Sequence, residues 1–423
     1  MSASFLSAVA DRAAGAQLAK VLQHVLDRAS PAQELLAWRL DYSSVSGRRL
    51  VAARTLPAGT LVFEERPLAV GTASGWKEPG QGAQAVAAEL LLGEPAAGAA
   101  ELQSHYSRNS KFQEAVSAFT EKLTEDCVRN GVPVPTSERI AWSIGVATIN
   151  VHGSSDPPIR GVLGLLASMP EHSCTPNCTM NVGPHTEGSM LKLHTLRAVQ
   201  PGEPLSISYT VSYAPTSERR RRLLAGHAFL CKCTRCESAP EYVRAFQCVR
   251  GDCDGAASPL HSGSDCRTLI CDDCSEAGRG VLELDDSTWS RLMAAERAED
   301  FSQCVPVLHP YHHKMIEIYK NNMTQVPAES RPELFCQFAD AHVRLSDDDY
   351  DELAAGELMR AALAFHAIGD TESALEKLGA AASSFGANCD AIGRCRRAQR
   401  ALEKSEAMSS RDLLAIINPS WLR

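Results

Sequence analysis

The sequence lacks any long hydrophobic run. No apolar stretch in its 423 residues approaches the roughly 18 residues that a membrane-spanning helix needs. The segment from Met1 to Gln17 also lacks the basic start and the continuous apolar stretch of a secretory signal peptide. We therefore expect a protein that neither crosses a membrane nor is secreted, and that works in the cytoplasm, in the nucleus or in both.

Positive charge is also in short supply. The chain has 42 Lys and Arg against 51 Asp and Glu, which gives a formal net charge of −9. Broad binding to DNA or RNA needs a basic face, so nucleic acid is disfavoured as a partner. The same balance suits a partner that presents lysines. Hydrophobic residues make up 44% of the chain, an ordinary value for a globular protein, and the length suits about three domains.

Cysteine, by contrast, is plentiful, with 15 residues in the chain. Three of them, Cys231, Cys233 and Cys236, fall within six residues. A structural zinc ion is held by four ligands, often thiolates, so this triplet predicts a zinc site that takes its fourth ligand from elsewhere. Because a chain without a secretion signal keeps its thiols reduced, metal ligation is favoured over disulfides.

A second group of cysteines follows at once. Cys248-x4-Cys253 and Cys271-x2-Cys274 are separated by 17 residues, which is the spacing of a zinc ribbon. The alternative is a set of free thiols in a polar insertion. We favour zinc, because two paired knuckles flank a segment too polar to form a core of its own. The acidic residues around this site do not suit contact with nucleic acid.

Three short motifs carry the strongest functional signal. They are His172-Ser173-Cys174-x-Pro176-Asn177, then Gly202-Glu203-x-Leu205-x3-Tyr209, then Phe229-x-Cys231-x-Cys233-x2-Cys236. Each motif is common enough to arise by chance. In this order, and within about 70 residues, they resemble the catalytic core of SET-domain lysine methyltransferases.

This resemblance, with the helical spacing of apolar residues, implies an α+β fold. We expect a mostly β SET domain with a helical insertion, a zinc-bearing post-SET segment, and an all-α, tetratricopeptide-like C-terminal domain. The expected boundaries are 1–38 for an N-terminal helical extension, 39–213 for the SET domain with its insertion at about 73–147, 214–283 for the post-SET and second zinc segment, and 284–423 for the helical domain.

The resemblance also implies the chemistry. The expected reaction moves a methyl group from S-adenosylmethionine to a protein lysine, with Tyr209 as the catalytic residue that positions the amine. The residues implied in cofactor binding are Gly47, Arg48, Glu171, His172, Tyr209 and Phe229. Zinc is implied at Cys174, Cys231, Cys233 and Cys236, with Cys178 as the alternative fourth ligand, and a second zinc is expected at Cys248, Cys253, Cys271 and Cys274.

The insertion and the Cys-rich tail are similar to those of the SET and MYND domain (SMYD) family. No cysteine occurs from Val70 through Asp126, so the MYND finger is absent and the chain resembles the MYND-less, SmydA-like branch. Its C-terminal helices are a candidate surface for a protein partner.

Three residues depart from the family pattern. Glu171 replaces an Asn that recognises the cofactor, Arg49 replaces the second glycine of Gly-x-Gly, and His227 replaces a tyrosine of the lysine channel. The alternative function is therefore a catalytically weak SET scaffold that binds protein partners, in transcriptional repression for example.

Local patterns give three smaller expectations. Arg219 to Arg222 should form the outer faces of a helix that starts at Pro215-Thr216-Ser217, with Leu223 and Leu224 facing inward. His309, His312 and His313 have no carboxylate or cysteine at ligand spacing, so they should mark a helix start after Pro310 rather than a metal site. The stretch from Gly356 to Phe385 should form two helices, the second capped by Thr371.

Overall fold

The computed structural model describes residues 37–43, 47–72, 82–92, 99, 102, 110–131, 133–153, 159–183, 188–238, 240–263, 266–276, 280–298, 301–344, 352–385, 389–404 and 408–417. The N-terminal helical extension predicted over 1–38 lies almost wholly outside these residues. The chain divides into two compact units. The first comprises Met1–His172, Pro176–Ile207 and Leu224–Ala228, and the second comprises Ser173–Thr175, Ser208–Leu223 and Phe229–Arg423.

The first unit is built from short strands with a helical stretch between them. Its elements are β1 (Trp38–Ser43), β2 (Gly47–Ala52), β3 (Leu61–Glu65), β4 (Ala69–Thr72), α1 (Gly82–Leu92), α2 (Ser110–Asn130), α3 (Ser137–Asn150), β5 (Val151–Gly153), β6 (Ile159–Leu163), β7 (Glu171–His172), β8 (Cys178–Val182), β9 (Leu191–Thr195) and β10 (Ser206–Ile207). The stretch read as a helical insertion thus contains α1 to α3.

The strands form small sheets. β1 and β2 make an antiparallel pair, β3-β9-β8 and β4-β6-β5 make three-stranded antiparallel sheets, and β7 pairs in parallel with β10. α1 packs on the sheet that contains β4 and β6. A Cβ on Gly71 of β4 would lie 2.6 Å from the backbone nitrogen of Val86, so only glycine permits this approach.

Strand β2 contains a fully buried segment. Leu50, Val51 and Ala52 are all fully buried, so both faces of the strand are covered. Its far edge is bonded by the Gly-Glu-x-Leu segment: the Leu205 amide donates to the Leu50 carbonyl at 2.8 Å, and the Ala52 amide donates to the Glu203 carbonyl at 2.9 Å. The second of the three motifs is therefore part of the core scaffold.

The second unit combines a cysteine-bearing sheet with a helical array. Its elements are α4 (Thr216–His227, whose last residues belong to the first unit), α5 (Thr234–Glu237), β11 (Phe246–Gln247), β12 (Ala256–Pro259), β13 (Thr268–Cys271), α6 (Asp272–Glu276), β14 (Val281–Glu283), α7 (Asp286–Arg297), α8 (Phe301–Cys304), α9 (His313–Asn321), α10 (Arg331–Val343), α11 (Glu352–Ala367), α12 (Thr371–Ser384), α13 (Cys389–Lys404) and α14 (Ser410–Ile417), with 3-10 turns at Tyr242–Arg244, Met323–Gln325 and Ala328–Ser330.

The four strands β11 to β14 form an antiparallel meander in sequence order. The sequence predicted cysteine knuckles here but not this sheet. Its hydrophobic core includes Phe246 and Leu269, and α7 contributes Trp289 and Leu292. The knuckles are therefore attached to a small core rather than to a loose insertion.

Consecutive C-terminal helices pack against one another. α10 contacts α11, α11 contacts α12, α12 contacts α13, and α14 contacts both α13 and α11. The contacts are made largely by alanines with no exposed surface, including Ala355, Ala362, Ala374 and Ala381. Such small side chains let helix axes approach closely. The predicted α+β fold with a helical C-terminal region is confirmed.

The predicted cap of α12 is displaced by one residue. Asp370, not Thr371, is the N-cap, and its carboxylate accepts from the Ser373 amide at 3.0 Å. Gly369 precedes it with φ of +88°, a conformation that glycine adopts without strain. The two residues are adjacent and both have capping side chains, so the sequence alone did not distinguish them.

No helix among the residues that the structure describes has the length and apolar character needed to cross a membrane.

Candidate functional site

The first set of cysteines converges on one point. The sulfurs of Cys174, Cys231, Cys233 and Cys236 all lie within 4.8 Å of one another, with Cys174 Sγ 3.5 Å from Cys236 Sγ and 4.0 Å from Cys231 Sγ. A tetrahedral zinc with bonds of about 2.3 Å holds its sulfurs about 3.8 Å apart. This set, which we call the first cysteine cluster, fits a zinc ion.

Local backbone geometry builds three corners of this cluster. Cys233 is the N-cap of the short helix α5, and the Cys236 amide donates to the Cys233 carbonyl at 2.9 Å. The Cys233 amide also points at Cys231 Sγ at 3.4 Å. Cys174 supplies the fourth corner, whereas Cys178, the alternative ligand, lies on β8 opposite Thr195 in the first unit.

The crowded thiols have divergent acidities. Hydrogen bonds to the other three thiols raise the pKa of Cys174, whereas hydrogen bonds from Cys174 and Cys231 lower the pKa of Cys236 to about 6. A divalent cation that binds such hydrogen-bonded thiols displaces their protons and is held by the thiolates.

Arg219 is not on an outer helix face, and the prediction that placed it there is wrong. Its side chain is fully buried, while Leu224, expected inside, is 49% exposed. The Arg219 guanidinium donates to Cys174 Sγ at 3.2 Å and to Cys236 Sγ at 3.4 Å. Thiolates accept such hydrogen bonds, so the cluster makes burial of the charged Arg219 favourable. Apolar periodicity alone predicts a surface position for this residue.

Two predicted active-site residues pack against this cluster. Tyr209 and Phe229 are both partly buried, and both contact the apolar surface formed by Leu223 and the cysteines. A metal at the cluster would therefore stabilise the positions of both rings.

The second set of cysteines converges equally well. Cys248 Sγ lies 3.9 Å from Cys274 Sγ, Cys253 Sγ lies 3.7 Å from Cys271 Sγ, and Cys253 Sγ lies 3.6 Å from Cys274 Sγ. All four sulfurs are within 4.8 Å of one another. These distances are close to the tetrahedral value of about 3.8 Å, so the second cysteine cluster also fits zinc.

The sheet positions the ligands of the second cluster. Cys248 follows β11, and Cys271 ends β13 directly before α6. Gly255 lies between the two knuckles, where its amide donates to Cys253 Sγ at 3.4 Å. A Cβ at Gly255 would lie 2.9 Å from Cys271 Sγ, so this glycine is required by the cluster. No sequence signal singled it out.

The remaining predicted cofactor residues lie in the first unit. Gly47 and Arg48 begin β2, and Glu171 and His172 form β7. Glu171 and His172 lie opposite Ser206 and Ile207 of β10 in parallel register, and the Glu171 amide donates to the Leu205 carbonyl at 2.9 Å. Glu171 and His172 are thus held beside the strand that precedes Tyr209 in the sequence.

Two of the three departures from the family pattern contact each other. The Arg49 guanidinium lies 3.6 Å from the Glu171 carboxylate and donates to Asp41 at 2.9 and 3.0 Å. Arg49 and Glu171 are each about a quarter exposed. Both residues depart from the family pattern, and the structure places them as an ion pair beside β2.

Asn177, the last residue of the first motif, is a buried hydrogen-bonding centre that we had not assigned a role. Its amide nitrogen donates to Glu203 Oε1 at 3.0 Å and to the Pro204 carbonyl at 2.8 Å. Its Oδ1 accepts from the Ser206 amide at 2.8 Å and from the Ser206 hydroxyl at 3.2 Å. The side chain therefore joins the first motif to the second.

The histidine group does begin a helix. His312 is the N-cap of α9, and its ring accepts from the Lys314 amide at 3.1 Å. A carboxylate missed in the sequence, Glu296 of α7, also reaches His312 and His313. Both Glu296 oxygens accept hydrogen bonds of 2.7 Å from Arg244. The guanidinium of Arg244 therefore occupies the position beside Glu296 that a metal cation would take.

Comparisons with known proteins identify the central domain. A family model for the SET domain matches residues 47–210, so the chain contains a SET domain. Histone-lysine N-methyltransferase SMYD3 of Mus musculus is 38% identical over 79 residues, which is 18% of this chain and 17% of that protein. SET domain-containing protein SmydA-8, isoform A, of Drosophila melanogaster is 22% identical over 314 residues, covering 57% of this chain and 66% of that protein.

The matched segments span 16% to 22% of the length of the first curated relatives. Among solved structures, the one described as Rubisco LSMT bound to AdoMet is similar with a TM-score of 0.36 and 13% identity, covering 95% of this chain and 87% of that chain. At that score the likeness supports no inference about this chain. The predicted SET-domain identity with SMYD-family relatives is confirmed by the sequence comparisons.

Proposed function

We propose that this SET-domain protein with SMYD relatives is an S-adenosylmethionine-dependent protein-lysine N-methyltransferase. The observation that carries the proposal is the SET match over residues 47–210, which includes Gly47, Arg48, Glu171, His172 and Tyr209. The first cysteine cluster adds support from this chain's own structure, because it packs against Tyr209 and Phe229.

S-adenosylmethionine, when bound, supplies an electrophilic methyl group on a cationic sulfur. The chain must then present a neutral lysine amine, although the pKa of a free lysine is about 10.4. Removal of water from the amine favours its neutral form. The Tyr209 hydroxyl accepts a hydrogen bond from the amine and fixes its direction of approach.

The Arg49–Glu171 pair fits the amino-acid end of the cofactor. A free carboxylate at position 171 would attract an ammonium and repel a neighbouring carboxylate. The Arg49 guanidinium lies 3.6 Å from Glu171 and also donates to Asp41, so this group of three side chains carries both signs of charge, with one negative charge in excess.

The substrate class is a protein lysine. The net charge of −9 favours a lysine-bearing partner. The names of the matched SMYD3 proteins include histone-lysine methyl transfer, and we propose a histone or another protein for this chain. The degree of methylation and the target lysine are separate questions that peptide libraries address.

One observation favours the second candidate, a catalytically weak scaffold. His227 replaces a channel tyrosine, and burial lowers the pKa of His227 below its usual value. A neutral imidazole stands where a phenol is expected, so the lysine channel would have a different ring, with its donor in a different place, at this position.

The test separates binding from turnover. S-adenosylmethionine should raise the melting temperature of the purified, zinc-loaded protein, since a ligand of the folded state stabilises it. Transfer of a tritiated methyl group to histone and peptide libraries should be measurable. Tyr209→Phe should keep the thermal shift and lose at least about 100-fold in transfer, because only the amine-positioning hydroxyl is removed.

Tyr319→Phe on α9 serves as the matched control and should leave both readings unchanged. A thermal shift without transfer to any substrate would favour the scaffold. No shift at millimolar cofactor would contradict cofactor binding and thus the proposed function.

Two further expectations stay proposals. We propose that the array α10 to α14 binds a protein partner. Cross-linking in cells that express the chain with or without residues 284–423, followed by comparison of the proteins captured, tests this. We also propose a cytoplasmic or nuclear location, because the two cysteine clusters can bind zinc only while their thiols stay reduced. Imaging of the tagged chain tests the second proposal.

A further inference from the structure

The first cysteine cluster carries a charge that the surrounding protein must balance. Four thiolates around one Zn²⁺ leave a net charge of −2. Three of the four cysteines are buried, so water screens little of this charge. A dianion in such a place is unfavourable unless a cation lies close to the sulfurs.

Arg219 is that cation. Its guanidinium spans two of the four sulfurs, at 3.2 Å from Cys174 and 3.4 Å from Cys236, and the side chain has no exposed surface. Because its charge is fixed at any ordinary pH, it balances the thiolates permanently.

The rest of the guanidinium is held in place. Nη2 donates to the Thr216 hydroxyl at 2.8 Å, and Nη1 donates to the Ala214 carbonyl. Glu241 lies 3.9 Å away and accepts from the Thr216 amide at 3.0 Å. All three nitrogens of the Arg219 guanidinium therefore donate hydrogen bonds, which fixes its position beside the cluster.

Neighbouring arginines do something different. Arg220 donates to the carbonyls of Cys231 and Cys236, and Arg235 donates to the carbonyl of Cys174. These bonds fix the backbone of the knuckle. The arginine contacts to sulfur that the structure shows within the described residues of this cluster come from Arg219.

We propose that Arg219 is the built-in counter-ion of the first zinc site. It is a positioning residue that sets how tightly the metal is held, and through Ala214 and Thr216 it links the metal to the segment that follows Tyr209. The inference rests on zinc binding at the first cluster, not on methyl transfer. It deepens the proposed function by naming what keeps Tyr209 and Phe229 in place.

The second cysteine cluster provides an internal reference. Its neighbours include Asp272 and Asp273, and Arg250, which hydrogen-bonds Cys274, is only partly buried. Removal of Arg219 should leave this cluster unaffected.

The experiment uses the full zinc-loaded chain. Arg219→Met keeps most of the length of the side chain and removes its charge and donors. Outer-shell partners of metal ligands are typically worth about 10- to 100-fold in metal affinity, so release of one zinc equivalent to a colorimetric chelator should accelerate at least about 10-fold. Arg219→Lys, which keeps the charge, should fall between wild type and Arg219→Met.

Mass spectrometry after alkylation identifies the site. In Arg219→Met, the cysteines of the first cluster should lose protection early, while Cys253 and Cys271 should react at the wild-type rate. Arg221→Met is the matched control, because Arg221 is 66% exposed and pairs with Glu218 at the surface. It should leave both sites unchanged.

Each outcome decides the matter. Equal release from wild type and both Arg219 variants would overturn the inference even if zinc is bound. A wild-type chain whose first-cluster cysteines are never protected would overturn the zinc assignment and the inference with it, while leaving methyl transfer to be judged by its own assay. Should Arg219→Met be insoluble, Arg219→Lys with wild-type release would also refute the inference.

Discussion

Asn177→Asp exchanges the side-chain amide for a carboxylate of nearly the same shape and should be more damaging than Asn177→Ala. The wild-type amide donates to Glu203 Oε1 and to the Pro204 carbonyl. An aspartate would place oxygens against both acceptors, in a position where Asn177 is only 2% exposed. The substitution tests whether this residue holds the first two motifs together.

The structure gives the expected magnitudes. Loss of four side-chain hydrogen bonds in Asn177→Ala should cost about 3 kcal/mol, because each is worth roughly 0.5–1.5 kcal/mol and bonding groups are left buried. In Asn177→Asp two carboxylates meet at about 3.0 Å, which is about 5 kcal/mol of repulsion at an effective dielectric constant near 20. Arg197, which pairs with Glu203, reduces this by about half, since it offsets part of the negative charge.

The pH dependence has a defined sign. Burial acts to raise the pKa of Glu203, but hydrogen bonds from Arg197, the Gln200 amide and Asn177 outweigh it and leave the pKa below its ordinary value. Glu203 thus remains charged, and the carboxyl group introduced beside it by Asn177→Asp has a raised folded-state pKa. The ionised form of that carboxyl group destabilises the fold, so stability falls as pH rises above about 3.9, the unfolded-state value.

The assay is urea unfolding of both variants between pH 5 and pH 8, with hydrogen exchange of the peptide that contains Ser206 as the local readout. At pH 8 Asn177→Asp should be less stable than Asn177→Ala by about 1 kcal/mol, because the two bonds from Ser206 that an aspartate oxygen still accepts offset part of the screened repulsion. Near pH 5 the difference should shrink. A pH-independent difference, or equal stability at both pH values, would refute the reasoning.

Three further predictions follow from buried groups. Glu65→Gln should lower the free energy of unfolding by about 3 kcal/mol, because the buried carboxylate accepts three backbone N–H bonds of 2.7 to 3.1 Å. Glu64→Gln, the partly exposed neighbour, should cost less than about 1 kcal/mol, and equal losses in urea unfolding would contradict the assignment. Cys253→Ser should remove one zinc equivalent by elemental analysis and leave the other, so an unchanged metal content would exclude Cys253 as a ligand. Burial acts to raise the pKa of Glu296, yet its imidazole and guanidinium partners hold the pKa below its usual range. Glu296→Gln should therefore reduce stability at pH 7, and the variant should lose less stability than the wild type as pH falls below about 4.3, the unfolded-state pKa. Superimposable pH profiles of the two proteins would count against this.

Motif spacing was enough to predict the SET domain and both cysteine groups. Metal ligation and backbone turns impose fixed residue types at fixed intervals, and such constraints are visible in one dimension. The cysteine from the first motif was assigned through the family resemblance, because no local spacing links Cys174 to Cys231.

What failed were inferences about partners distant in sequence. Helical periodicity predicted a surface position for Arg219, because that pattern depends on apolar residues and contains no information about a thiolate partner. Glu296 and His312 meet although they belong to different helices. Arg49 and Glu171 are 122 positions apart in the sequence, which gave no sign that their side chains form an ion pair. In each case the missing information was a long-range contact between charged or polar groups.

The separation of Cys174 from Cys236 has a consequence for biosynthesis. Their sulfurs meet across 62 positions of chain, so the metal closes a large loop. Closing a loop of that length costs about 4 kcal/mol of chain entropy, which zinc coordination, at roughly 10–16 kcal/mol, readily exceeds. Because Cys236 leaves the ribosome last, the loop stays open during synthesis until that residue emerges. The zinc site can therefore be completed only after residues 1–236 have been made and have left the ribosome.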